Sequence, residues 1–310
     1  MNKYFLIMNP AAYSGRAGKQ YKKIISEFKK RDIAFESKWT QAPSDAINLA
    51  KEAKKQNCTT VVAVGGDGTI CEVISGLFDT NEIGAKPKLG VLHVGTSPDF
   101  NRYHKIPTNI EDAIQILLQG KTKLIDIGKI TYYPDPNREK ETVSYFASNV
   151  NVGLGPQIAK RANSRYRKYL GDFLGTLSAT LTSVLGFRPM DLYVKIDGKE
   201  MQFKQLINLT IGKDPYLASG MRVPSQIKPD DTRMYVLSIK KTSWINLFSS
   251  IPKLYLGNFL DYKGADISYA EKIEIDYNQK YPWIEFDGDI KGYLPAKIEI
   301  MHKALEIIVP

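Results

Sequence analysis

The sequence predicts an α/β protein in two parts, a doubly wound parallel sheet at the N-terminus followed by a mostly antiparallel, β-sandwich-like domain. Two patterns and one number carry this expectation. Up to about residue 127, short apolar runs alternate with segments of 3.6-residue periodicity, as a parallel sheet with crossover helices requires. Beyond that point the dominant period falls to two, and strands with tight turns replace the alternation. The length of 310 residues suits two domains at roughly 150 residues each. The expected division is 1–127 and 128–302, with 303–310 returning to pack on the first part.

The elements of the first part follow in order. Tyr4–Met8 is an apolar run of strand length. After a Gly-bearing turn, Tyr21, Ile24, Ile25 and Phe28 recur on one helical face, with Lys and Arg on the other. Residues 34–39 read as a second strand, and Ser44 is the expected N-cap of a helix carrying Ile47, Ala50 and Ala53. A buried strand at 60–64 leads into a helix through Val73, Ile74 and Leu77. Residues 89–94 form the next strand. Asn109 is placed to cap a helix with Ala113, Ile114, Leu117 and Leu118, which Gly120 ends.

In the second part, Leu192, Val194 and Ile196 alternate with polar residues, meet Asp197-Gly198, and resume at Met201 and Phe203, which is a hairpin pattern. Residues 207–211, 234–239, 272–277 and 282–286 add strands with no helix pattern between them. Residues 304–309 are a last apolar run, the one expected to return to the first part.

Composition narrows the functional classes. Hydrophobic residues at 43% and charged residues at 25% describe a chain that builds its own core, without reliance on disulfides or structural metals. Lys+Arg 43 against Asp+Glu 33 leaves a formal charge of +10, which suits nucleic acid, an anionic membrane or a phosphorylated small molecule. No nucleic-acid module is recognisable. The apolar run at the N-terminus is shorter than a signal peptide needs, no run is long enough for a membrane-spanning helix, and Cys58 and Cys71 make no disulfide framework; the cytoplasm is the expected compartment. His93, His104 and His302 lack zinc-ligand spacing and read as surface or core residues.

The run with most chemical content is Gly65-Gly66-Asp67-Gly68-Thr69, between a buried strand and a helix. Glycines let the backbone approach phosphate oxygens, and a helix N-terminus adds N–H donors and partial positive charge. A scaffold turn explains the glycines but not the carboxylate among them, which phosphate would repel unless a metal, water or proton intervened. Two similar runs fail their motifs. Ser14-Gly15-Arg16-Ala17-Gly18-Lys19 does not satisfy GxxxxGK[ST], and Gly153-Leu154-Gly155 lacks a third glycine.

Taken together, Gly65 to Thr69 after the third strand, Asn9-Pro10 with Ser14-Gly15 after the first, and Gly95-Thr96 with Asp99-Phe100 after the fourth resemble the soluble lipid kinases: bacterial diacylglycerol kinases and their diacylglycerol and sphingosine kinase relatives. The resemblance runs over nearly the whole chain and includes Asp287-Gly288, where that family has Asp-Gly-Glu. It implies an ATP site formed by Asn9, Pro10, Ser14, Gly15, Thr40, Gly65, Gly66, Asp67, Gly68, Thr69, Glu72, Gly95 and Thr96. It implies Asp67 and Asp99 in the network around a magnesium ion, and Asp289 or Asp287 as the base. It further implies a structural magnesium held by Asp231 and the Arg233 carbonyl. The chain departs from the family pattern at Asp289 (for Glu), Pro98 (for Asn) and Thr232 (for Gly).

The implied activity is ATP- and Mg2+-dependent transfer of the γ-phosphate to the hydroxyl of diacylglycerol or a related lipid, in a cleft between the two parts. Lys160, Arg161, Arg165, Arg167 and Lys168, interleaved with Tyr166 and Tyr169 and followed by an apolar stretch at 170–187, suit peripheral docking on an anionic membrane from the cytoplasmic side. A solvated helical face is the equal alternative. Because GGDGT is similar also to NAD kinases and phosphofructokinases, an NAD kinase-like activity stands as one alternative. A nucleotide- or lipid-binding protein without turnover is the other. The oligomeric state is open, a homodimer included.

Overall fold

The structure is a computed structural model that describes residues 4–12, 17–78, 86–95, 98–162, 172–217, 221–243, 245–246, 249, 253, 258–277, 282–286 and 288–310. The chain divides into two compact units, Met1–Ile125 with Lys303–Pro310, and Asp126–His302.

In unit 1, β1 (Tyr4–Met8), β2 (Phe35–Trp39), β3 (Thr60–Gly65) and β4 (Lys88–His93) form a parallel sheet in the order β2-β1-β3-β4. The returning C-terminal segment extends it, with Ile307 opposite Leu89 in parallel. Every residue of β1 and β3 is buried, which is why both read as continuous apolar runs rather than alternating ones. Tyr4, Leu6, Met8, Val62, Val64 and Leu92 pack against Tyr21, Ile24 and Phe28 of α1 (Gly18–Lys30) and Ala113, Ile114 and Leu117 of α5 (Ile110–Gln119). The strand residues between them, Phe5, Ile7, Val61 and Ala63, are equally buried on the opposite face. The helices that follow β2, β3 and β4 are α2 (Asp45–Lys55), α3 (Asp67–Leu77) and α4 (Asp99–His104).

Asn109 caps α5 through its side-chain oxygen, which accepts from the N–H groups of Glu111 and Asp112, and Gly120 ends the helix at φ 67. Ser44 departs from expectation. Its φ is 68, its hydroxyl accepts no backbone N–H, and its own N–H donates to Glu72 Oε1 at 3.1 Å. The left-handed turn before α2 points the Ser44 backbone, rather than its side chain, at a neighbour.

Unit 2 is mostly antiparallel. Its strands are β5 (Thr122–Tyr133, from residue 126), β6 (Thr142–Phe146), β7 (Asn149–Gly153), β8 (Met190–Ile196), β9 (Lys199–Gly212), the short pair β10 (Tyr216–Leu217) and β11 (Met221–Arg222), β12 (Met234–Lys240), β13 (Ala265–Ala270), β14 (Lys272–Asp276), β15 (Trp283–Phe286) and β16 (Asp289–Ile308, to residue 302). The long strands β9 and β16 each pair on more than one side, so that β9, β7, β15, β16, β14 and β8 close a circuit of hydrogen-bonded neighbours. Asp197 (φ 45) and Gly198 (φ 84) both take positive φ in the β8–β9 hairpin, the turn their sequence predicts. Between β7 and β8 lie α6 (Leu154–Arg161) and α7 (Asp172–Gly186), so the apolar stretch at 170–187 is mainly helix. Leu154, Val184 and Phe187 pack there with Ile207, Tyr235 and Leu237.

Candidate active site and the family of the chain

Unit 1 gathers its candidate residues at the carboxyl ends of β1, β2 and β3. The strands end in register, with Asn9 N–H donating to the Val64 carbonyl (3.1 Å) and Thr40 N–H to the Met8 carbonyl (2.9 Å). Asn9 then ties three segments together. Its Oδ1 accepts from Ala11 N–H (3.0 Å) and the Thr40 hydroxyl (3.4 Å), its Nδ2 donates to Thr69 Oγ1 (2.9 Å), and its carbonyl accepts from the Tyr21 hydroxyl. Pro10 follows on the surface. Glu72, one turn along α3 from Asp67 and Gly68, is held by the Ser44 N–H.

Glycine is needed at two of these points. A Cβ on Gly65 would overlap the Thr69 side chain, and one on Gly95 would lie 2.8 Å from Gly66 Cα. The loops after β3 and β4 therefore meet backbone to backbone, and Val94 N–H donates to the Gly65 carbonyl at 2.9 Å. Asp67 opens α3, whose first turn presents helix N–H groups and the positive end of the helix dipole. Asp99 opens α4, is buried, and pairs with Arg102 Nη1 at 3.0 Å. Ser14, Gly15 and Thr96 lie outside the described residues.

Two of the histidines are core groups. His93 ends β4 against Gly95, and burial pushes its pKa down to about 4, against an upward contribution from the Gly95 backbone. His104 packs on Phe100 and Tyr103, and burial, aided by the charge of Lys123, pushes it down to about 3. Both are neutral at physiological pH.

In unit 2, Asp289 opens β16 with its side chain 49% exposed and Lys291 Nζ at 3.6 Å; Asp287 lies outside the described residues. Gly288, which precedes Asp289, is held by Glu285, a residue only 5% exposed. Glu285 Oε1 accepts from Gly288 N–H (2.7 Å) and Oε2 from Asn151 Nδ2 (2.8 Å). Glu285, Asn151 and Thr210 occupy one row across β15, β7 and β9. Asn151 Oδ1 accepts from the Thr210 hydroxyl (2.7 Å) and Asn208 Nδ2 (3.1 Å), while Asn208 Oδ1 takes Gly155 N–H at the start of α6 (2.8 Å). Sequence reasoning missed this network. Its only signal is the polar residues at alternate positions of otherwise apolar strands, Asn149-Val-Asn151 and Asn208-Leu-Thr210.

Asp231 and the Arg233 carbonyl, the implied ligands of a structural magnesium, both accept from Lys213 Nζ, each at 2.9 Å. The same ammonium lies 2.7 Å from Asp126 Oδ2. Asp126 also takes Thr232 N–H (2.9 Å) and contacts His302 Nδ1 (2.9 Å). Thr232 holds φ 63, the left-handed backbone for which the resemblance expects glycine. Burial tends to raise the Asp231 pKa, but hydrogen bonds from Lys213 and from the Lys228 and Arg233 N–H groups outweigh it and hold the carboxyl below its usual range. Among the described residues, no three His, Cys, Asp or Glu side chains gather as a metal cluster.

Of the basic run, Lys160 and Arg161 form the last turn of α6. Lys160 is exposed with its ammonium 4.3 Å from the Trp283 ring centre, and Arg161 is half-buried. Arg165, Tyr166, Arg167, Lys168 and Tyr169 lie outside the described residues. No described helix is long and apolar enough to cross a membrane.

Both parts of the chain match known protein families. Residues 3–130 match the diacylglycerol kinase catalytic domain, and residues 148–309 match the YegS C-terminal NAD kinase beta sandwich-like domain. The chain is 22% identical to a diacylglycerol kinase of Staphylococcus carnosus (strain TM300), covering 98% of this chain and 94% of that protein. It is 24% identical to one of Bacillus subtilis (strain 168), covering 100% and 97%. A crystal structure described as a diacylglycerol kinase from Bacillus anthracis str. Sterne shares the fold at a TM-score of 0.74 and 21% identity, covering 100% of this chain and 97% of that one. With both of its parts matched in order, the chain belongs to the diacylglycerol kinase family of lipid kinases.

Proposed function

We propose that the chain transfers the γ-phosphate of ATP, with Mg2+, to the primary hydroxyl of diacylglycerol or a closely related lipid, giving phosphatidic acid or its analogue. The observation that carries this reading is the hydrogen-bonded set Asn9, Thr40 and Thr69 at the glycine-lined start of α3, with Glu72 of the same helix held by the Ser44 N–H. Unit 1 is read as a doubly wound nucleotide-binding domain (1–127 with 303–310) and unit 2 as the lipid-substrate domain (128–302). Asn9, Pro10, Ser14, Gly15, Thr40, Gly65, Gly66, Gly68, Thr69, Glu72, Gly95 and Thr96 bind the nucleotide. Backbone N–H groups at the α3 N-terminus orient its phosphates.

Asp67 and Asp99 suit Mg2+, being carboxylates that open the helices after two adjacent strands and offer only hard oxygen donors. The ion supplies charge neutralisation at the transferred phosphoryl group. In unit 2, Asp287 or Asp289 accepts the proton of the acceptor hydroxyl, and Glu285 holds the Gly288 N–H next to Asp289. Lys160, Arg161, Arg165, Arg167 and Lys168 hold the protein against an anionic lipid surface at the cytoplasmic face.

Incubation with labelled ATP and Mg2+, using diacylglycerol mixed micelles, other lipid alcohols and NAD in parallel, tests the proposal. Labelled phosphatidic acid is the expected product, and Asp67→Ala should abolish it while the protein stays folded, as a cooperative thermal melt will show. NAD is included because of the NAD kinase-like description of the second domain. Its phosphorylation in place of lipid, or ATP binding with no product at all, would overturn the proposal.

A further inference from the structure

We infer that Lys213 is a built-in cation of unit 2, occupying the place that family resemblance gives to a structural magnesium ion. A lysine ammonium has three N–H groups and no acceptor. Here the three find three oxygens: Asp126 Oδ2 at 2.7 Å, Asp231 Oδ1 at 2.9 Å and the Arg233 carbonyl at 2.9 Å. Two of those oxygens belong to the residues implied as magnesium ligands. A Mg2+ ion must approach its oxygens to about 2.0–2.1 Å, and drawing on these same oxygens it would stand where Nζ already stands.

The lysine is not a surface residue that has swung inward. It is 2% exposed, it directly follows β9, and its N–H is fixed on the Ser148 carbonyl at 2.8 Å. Asp126 is completely buried and the Asp231 side chain is 17% exposed. Their remaining lone pairs are used within the chain. Asp126 takes the Thr232 N–H and faces His302 Nδ1, while Asp231 takes the Lys228 N–H and has Arg233 Nη2 at 3.7 Å. Asp126 N–H donates to the Pro229 carbonyl at 2.8 Å. The ammonium thus joins the start of β5, the end of β9 and the turn before β12, the joint a bound ion would otherwise make. The residues around Lys213 do not fit a divalent cation, so on the proposed function magnesium serves phosphoryl transfer alone.

Thermal melts of the full chain without nucleotide test the inference, run in EDTA and in millimolar Mg2+ on the natural protein, Asp67→Asn, Asp231→Asn and Lys213→Met. The natural protein should show no Mg2+-dependent rise that Asp231→Asn removes. Lys213→Met leaves the buried Asp126 and the partly buried Asp231 without their shared cation, and its melting temperature should fall by about 10 °C. A Mg2+-dependent rise that survives Asp67→Asn and disappears in Asp231→Asn would overturn the inference, as would an unchanged melt for Lys213→Met. If Lys213→Met does not fold, the natural protein, Asp67→Asn and Asp231→Asn decide through their Mg2+ dependence.

Discussion

Glu285 holds two N–H groups at once, one from the turn between the candidate acids and one from the centre of the neighbouring strand. Both of its oxygens must be acceptors for this to work. Glu285→Gln keeps the volume but puts an NH2 group against either Gly288 N–H or Asn151 Nδ2, leaving a buried donor facing a donor at a cost of about 1–3 kcal/mol. On the proposed mechanism Glu285 is a positioning residue, since it acts on the acids through the turn. Turnover should drop on the order of tenfold or more, because displacement of reacting groups by a fraction of an ångström is expensive. The KM for ATP should not move, because Glu285 belongs to unit 2 and the nucleotide residues to unit 1. Steady-state kinetics with ATP and lipid varied separately check this, and a change confined to the KM for ATP would contradict it.

Two helix starts in unit 1 give a paired test at the scale of elements. The Asn109 side chain satisfies two otherwise unbonded N–H groups of α5, so Asn109→Ala should cost about 1 kcal/mol. Ser44→Ala should fall within about 0.5 kcal/mol of no change, since that hydroxyl caps nothing. Chemical denaturation of the two variants side by side reads the difference. The pair also shows what was legible in the sequence. Asn109 was, because a cap is a matter between neighbours and the helix it starts is strongly amphipathic. Ser44 was not, because its N–H is drawn to Glu72, 28 residues away on another helix. The same division runs through the site. The glycine-lined turn before α3 was visible in five consecutive residues, and β1 to β4 were visible as apolar runs. The bond between Asn151 and Glu285 spans 134 residues, and no local spacing encodes it. Lys213 was overlooked for the same reason. Nothing around it in the chain announces that it closes a strand end over two carboxylates contributed from elsewhere.

For the molecule as a whole, acid stability and surface charge are the properties that single residues set in sum. His93 and His104 titrate near pH 6.5 when unfolded but only near about 4 and about 3 when folded. The unfolded chain therefore binds protons first. Their contribution to stability is fully present above about pH 6.5 and is lost progressively below it, on the order of 3 kcal/mol for His93 alone by the time its folded value is reached. Asp231, held low in the folded state, loses its contribution only at still lower pH. Urea unfolding should show a plateau from pH 8 to about 7 and a decline between 6.5 and 4, whereas a flat profile across that interval would exclude neutral buried histidines. The formal charge of +10 raises a separate question, because excess charge serves solubility as readily as binding. Lys160 and Arg161 separate the two uses, since they close α6 on unit 2, away in sequence from every proposed nucleotide residue. If they meet an anionic surface, each contributes about 1 kcal/mol, and reversing both to Glu should weaken binding to phosphatidylglycerol vesicles at least about tenfold. The loss should shrink as salt screens the natural protein, and the KM for ATP should hold. Because Lys160 also lies over Trp283, a melt of the double variant must accompany the vesicle sedimentation. Unchanged vesicle binding by a folded double variant would assign this part of the charge to solubility.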